Sequence, residues 1–138
     1  MEMQGSLFTY GPYNRLCAFK SGYEHWSDVK IIILFVAGLT DGMISKPYLP
    51  QLSKELNSSI LNKSSSALQY GASNAKTMLV QATLGSSYMG FGNSSLCHDV
   101  HEMDLLLDEI VHKIRVARGH TTDCDRDVAA MPKVSAFI

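Results

Sequence analysis

Near its end the sequence places Gly119, His120, Thr121, Thr122 and Asp123 in the spacing of a nucleophile turn. Such a turn reads Gly-x-Ser-x-Gly and holds a hydroxyl out of a strained bend between strand and helix, aimed at an acyl carbon. Here Thr121 occupies the nucleophile position and Asp123 replaces the second glycine. A second feature belongs to the same chemistry, the glycine-bearing loop Ala37-Gly38-Leu39-Thr40-Asp41-Gly42 after a long apolar run. Backbone N–H groups that would face a developing oxyanion are those of Leu39 and Thr122.

Two other stretches carry residue types capable of chemistry. In "GSSYMGFGNSS" the pair Gly90-x-Gly92 could present backbone N–H groups to a phosphate. It lacks the Gly-Lys-Ser/Thr of a phosphate loop and a third glycine, so it reads as a strand-to-helix connection. In "CHDVHEMD" the side chains of His98, His101 and Glu102 share one helical turn. The spacing is not His-Glu-x-x-His, and the group is expected on the solvated face opposite the apolar stripe. No metal and no cofactor are expected.

The elements that must position this chemistry are bounded by size and composition. The 138 residues suffice for one domain with a core but are short for a complete α/β enzyme, and 46% are apolar. A net charge of −1 gives no reason to expect nucleic acid or an anionic membrane as partner. Cys17, Cys97 and Cys124 are scattered and form no Cys-x-x-Cys pair, which fits a reducing, cytoplasmic setting. The N-terminus has no basic start followed by an apolar run, so no signal peptide is expected. The longest apolar run, residues 31–39, is far below the ~20 residues of a membrane helix and reads as a buried strand.

Along the chain, "SLFTYG" and "LCAFKSG" read as short strands split by the turn "GPYN". "VKIIILFVAG" is apolar on both faces, as a central strand covered by helices must be. Pro47 and Pro50 suit the first turn of a helix starting near Ser45, with Tyr48, Leu52 and Leu56 on its inner face. Residues 58–76 are serine-rich and weakly periodic, an inserted loop. "TMLVQATL" is a second buried strand. Leu96, Val100, Met103, Leu107, Ile110 and Ile114 then recur at alternating four- and three-residue steps, an amphipathic helix capped by Ser95. Alternating strands and helices predict a mostly parallel sheet with crossover helices, followed by a strand leading into the turn at Gly119.

Taken together these segments resemble a known family. "MQGSLFTYGP", "AFKSG", "FVAGLTDGMISKPYLPQLSKELN", "LVQATLGSSYMGFGNSSLCHDVHEMDLLL" and "GHTTDC" are similar, in order and style, to the fusarinine C esterase-like α/β-hydrolases of fungi and plants. Gly38-Leu39-Thr40-Asp41-Gly42 and Ser86-Ser87-Tyr88 are the most specific marks. The resemblance implies a partial α/β-hydrolase fold with residues 1–118 as its N-terminal part and residues 119–138 as a degenerate nucleophile turn and tail. It implies a serine hydrolase ancestry acting on an ester-type small molecule. The family's turn reads Gly-His-Ser-Thr-Gly-Cys; Gly119, His120, Thr122 and Cys124 match it, whereas Thr121 and Asp123 do not.

Those departures predict an inactive site. A β-branched threonine is a poor fit to the positive φ of a nucleophile turn. Asp123 adds bulk and negative charge beside the oxyanion. Arg115 and Arg118 would lie in a strand that should be apolar, unless the preceding helix runs on. The triad's histidine should follow its nucleophile, yet no histidine follows His120. The expectation is a truncated, catalytically inactive member of the family. The alternatives are a binding or dimerising module whose open sheet is covered by a second copy or a full-length relative, or an ester hydrolase completed by another chain.

Overall fold

The computed structural model describes residues 3–38, 41–57, 76–90 and 92–119, together with the backbone of residues 133–137. The first two strands, β1 (Gly5–Tyr10) and β2 (Leu16–Gly22), form a hairpin with Gly5 opposite Ser21 and Tyr10 opposite Leu16. The turn between them bends sharply because Gly11, Tyr13 and Asn14 all adopt positive φ. Strand β3 (Ile31–Phe35) follows, then helix α1 (Leu49–Asn57), strand β4 (Thr77–Ala82), helix α2 (Leu96–Ala117) and strand β5 (Lys133–Phe137).

The strands lie side by side in the order β1-β2-β4-β3-β5. Pairings β3–β4 and β3–β5 are parallel, but β1–β2 and β2–β4 are antiparallel. The sheet is therefore mixed rather than mostly parallel. The physical reason lies in residues 11–15, a link far too short for the crossover that parallel neighbours require. The two long apolar runs do form the middle of the sheet. Every residue of β4 is buried, and β3 lies beside it with Ile32 and Leu34 shielded from water.

Helices cover both faces. On one side Leu106, Ile110 and Ile114 of α2 pack with Ile32, Leu34, Met78 and Val80. On the other, Leu49, Leu52 and Leu56 of α1 meet Phe35 and Leu79. Side chains of successive strand residues alternate between these two layers, which is why a strand buried on both faces must be apolar throughout. Helix α1 begins at Leu49, later than its prolines suggest, with Pro50 in the first turn. Leu49 faces inward and Tyr48 is exposed.

Helix α2 starts where expected. Ser95 is extended at φ −95° and its hydroxyl accepts the N–H of His98 at 3.2 Å. Two features differ from the reading of the sequence. The buried row is Glu102, Leu106, Ile110 and Ile114, whereas Leu96 and Val100 are exposed. The helix also continues to Ala117, so Arg115 is helical and no approach strand forms there. Arg118, just beyond, donates from its guanidinium to the carbonyls of Ser27 at 3.1 Å and Val29 at 3.4 Å. The strand expected to lead into the turn at Gly119 is thus replaced by helix; the strand β5 follows that turn in the chain and pairs with β3, Lys133 opposite Ile31 and Phe137 opposite Phe35. No described helix is long and apolar enough to cross a membrane.

Candidate functional site

In open α/β sheets ligands bind beyond the carboxyl ends of the parallel strands. Here two loops leave that end, one after β3 and one after β4. The β3 loop turns tightly, with the N–H of Asp41 donating to the carbonyl of Gly38 at 3.0 Å. Asp41 pairs with Lys46, and that hydrogen bond holds the Lys46 ammonium above its ordinary range. Deeper down, Gln81 of β4 is fully buried, and its Oε1 accepts the N–H of Ile44 at 2.8 Å. A polar residue inside an apolar strand must find a partner, and this one anchors the neighbouring loop.

The two loops touch through Tyr88 and Gly42. A methyl group built on Gly42 would lie 1.9 Å from Cζ of Tyr88 and 2.2 Å from its hydroxyl oxygen, so only glycine fits. Tyr88 has φ 56° and Ile44 has φ 58°. Positive φ is a genuine outlier for a β-branched residue, and such strain persists only where surrounding contacts over-determine it. Both strained residues stand at the carboxyl end of the sheet, one on each loop.

The β4 loop is held from below by α2. Glu102 Oε2 accepts the N–H of Gly85 at 2.5 Å, while its Oε1 lies 3.0 Å from Nε2 of His98. One turn earlier, Asp99 accepts the N–H of Ser86 at 3.3 Å and the hydroxyl of Ser94 at 3.2 Å. On the sheet side, Thr83 donates its hydroxyl to the carbonyl of Cys17 and accepts the Tyr10 hydroxyl on its own carbonyl at 2.6 Å. Burial, then the charges of Glu102 and Cys17, push the Tyr10 phenol far above its ordinary range. Glu102 therefore does not stand on a solvated face beside His98 and His101. It is buried, and among the described residues no group of three could hold a metal.

The expected site residues Leu39, Thr121 and Thr122 lie outside the described residues. Gly119, which opens the Thr121 motif, is described, with φ 77° directly after α2. Helix α2 begins beside the loop after β4 and ends beside the residues that precede β3, as the bonds of Glu102 and Arg118 establish. Its 22 residues span about 30 Å at the helical rise. Gly119 thus sits at the amino end of β3, and Gly38 at the carboxyl end. Sequence reasoning missed Gln81, Tyr88 and Glu102 as organisers of the two loops. Only Gln81 carried a signal, as the single amide within "TMLVQATL".

A cavity of about 290 Å³ also opens at the amino end, lined by Gly5, Ser6 and residues 20–25. It is formed by the open ends of β1 and β2 and does not reach the loops after β3 and β4.

With this geometry in view, comparison with known proteins is informative. A family model described as "Protein of unknown function (DUF1749)" matches residues 1–129. No curated protein matches the chain significantly. Among solved structures, the siderophore hydrolase EstB from Aspergillus fumigatus superposes with a TM-score of 0.62 at 24% identity. The match covers 98% of this chain and 32% of that one, so the chain spans about a third of its length. The likeness establishes the shared fold, an α/β-hydrolase architecture present here in part.

Proposed function

From the premise that this chain belongs to the family described as protein of unknown function (DUF1749), we propose that it is the oxyanion-side portion of an esterase-type α/β-hydrolase and does not hydrolyse esters by itself. The ancestral substrate in this reading is an ester-type small molecule, a class in keeping with the likeness to a siderophore hydrolase. No cofactor is required, because ester hydrolysis by an activated hydroxyl needs only a base and oxyanion donors.

The observation that carries the reading is the place of Gly119. A nucleophile must stand about 3 Å from the acyl carbon whose oxygen the oxyanion donors hold. Of the two expected donors, Leu39 and Thr122, the first belongs in sequence to the loop that leaves β3 at the carboxyl end of the sheet. Gly119, two residues before Thr121, is at the amino end, the length of α2 away from the loop after β4. The carboxyl end retains its organised loops, and the hydroxyl found there on a carboxylate, Ser94 on Asp99, serves to hold the loop after β4 against α2.

The test is hydrolysis of a short-chain aryl ester by the purified chain. The expected rate equals that of buffer, and Thr121→Ala leaves it unchanged. A chain-dependent rate abolished by Thr121→Ala would overturn the proposal.

A further inference from the structure

Strand β1 pairs with β2 only as far as Gly5 opposite Ser21, so residues 22–25 run on past the end of β1. The cavity of about 290 Å³ at the amino end of the sheet lies there, lined by Gly5, Ser6 and residues 20–25. Neighbouring strand residues point to opposite faces, and a molecule seated in line with β1 meets both Lys20 and Ser21. Ser21 is only 3% exposed, and its buried hydroxyl has no hydrogen-bond partner among the described residues. A buried hydroxyl is nearly always paired, so one left alone calls for a partner from outside the chain. The Lys20 ammonium donates to the carbonyl of Glu24 and lies 5.2 Å from the ring centre of Trp26. An ammonium has three donors, and this one has more to give. Burial first, with Lys113 after it, holds the Lys20 ammonium below its ordinary range against the pull of Glu24. An anion seated beside it would offset that lost solvation.

We propose that this cavity binds a small hydroxylated organic acid, its carboxylate on the Lys20 ammonium and a hydroxyl on Ser21. The lining calls for a polar ligand. Among the described residues it includes no Leu, Ile, Val or Met, whereas apolar side chains dominate the sites of apolar ligands. Ser6 stands opposite Lys20 in the ladder, so its hydroxyl shares the face of the ammonium. Glu24 limits the charge of the guest. As the acidic member of the lining it repels a dianion such as phosphate, while its carboxylate can accept a ligand hydroxyl. The volume is at the lower limit for small-molecule sites, which suits a compact acid. The site is at the opposite end of the sheet from the loops after β3 and β4, and it stands whether or not the chain hydrolyses esters.

The experiment titrates the full chain with D-gluconate, hexanoate, sorbitol and inorganic phosphate. Binding is followed by the heat released and by the fluorescence of Trp26, the single tryptophan, which lies against Lys20. Gluconate is expected to saturate with a dissociation constant of about 1 mM or below. Hexanoate lacks the hydroxyls, sorbitol lacks the carboxylate and phosphate carries excess charge, so each should bind about tenfold more weakly or worse. Lys20→Met keeps the stem over Trp26 and should weaken gluconate about tenfold. Ser21→Ala should weaken it about fivefold, with a melting temperature at or above that of the wild type because the unpaired hydroxyl is gone. A serine with a purely structural role would instead lower the melting temperature and leave the affinity alone. Absence of saturable heat with gluconate overturns the proposal. So does equal affinity for hexanoate, sorbitol or phosphate, and so does an affinity unchanged in either variant. Should Lys20→Met not fold, the ranking of the four compounds on the wild type decides.

Discussion

The Glu102 carboxylate of α2 and the backbone N–H of Gly85, at 2.5 Å, form the main tie between the helix layer and the loop leaving the central strand. Its side chain is only 7% exposed, and the second oxygen faces His98 at 3.0 Å. A carboxylate is tolerated at such depth only when both oxygens are engaged. The pairing explains why a charged residue heads the buried row of α2, and why the loop after β4 keeps a fixed path toward Tyr88.

Removing that carboxylate should therefore destabilise the chain well beyond an ordinary surface change. Glu102→Ala leaves the half-buried Gly85 N–H without its acceptor, a loss of about 1–2 kcal/mol. Glu102→Gln retains an acceptor for Gly85 and should cost about half as much, the remainder reflecting the lost charge toward His98. Urea unfolding measures both. A Glu102→Ala chain with the wild-type midpoint and slope would show that the tie contributes nothing.

This relationship also marks where the sequence could and could not be read. The strands β3 and β4 were legible because burial on both faces demands unbroken apolar runs. Helix α2 was legible because its periodicity is long. Which face of α2 meets the sheet was not, since the row led by Glu102 depends on a backbone donor at Gly85, contributed by a distant segment. The mixed sheet was half visible, in the short turn "GPYN" that forces a hairpin. Arg115 and Arg118 were candidates for an approach strand, but Arg118 instead bonds the carbonyls of Ser27 and Val29, partners that only the folded chain supplies. The contact of Tyr88 with Gly42 had no local signature beyond the glycine itself.

That contact yields a second prediction. Gly42→Ala places a methyl 1.9 Å from the ring of Tyr88, and the ring must leave. The expected loss is about 1–3 kcal/mol, typical of overpacking. In Tyr88→Ala the space is empty, so adding Gly42→Ala should cost much less. The difference between the two costs, read from a double-mutant cycle of unfolding free energies, measures the coupling of the two loops. Equal costs in both backgrounds would mean that the loops are independent.

Acid stability gives a third. Hydrogen bonds from Lys76 foremost, then Ser27 and Tyr23, hold the Asp28 carboxyl at about 2, below its ordinary 3.8. A depressed folded-state value favours folding above the ordinary value and is lost as pH falls from 3.8 toward 2. The melting temperature of the wild type should fall across that window more steeply than that of Asp28→Asn, which has no proton to take up there. Because Asp28 is on the surface, the difference should shrink in high salt. Parallel pH profiles for the two proteins would exclude Asp28 as a contributor.

The last prediction concerns the turn at Gly119. If threonine were the only defect, Thr121→Ser should give an esterase, since serine tolerates a strained turn far better than a β-branched residue. The position of Gly119 argues otherwise. It follows α2 at the amino end of the sheet, while the loop after β3 that would hold the oxyanion leaves the carboxyl end. Exchange of one hydroxyl for another does not move Gly119 across that distance, and catalysis collapses when the reacting groups are misplaced by about 1 Å. Thr121→Ser, like the wild type, should therefore hydrolyse an aryl ester no faster than buffer. A rate gained in Thr121→Ser and lost in Thr121→Ala would show that the chain brings position 121 to the oxyanion loop after all.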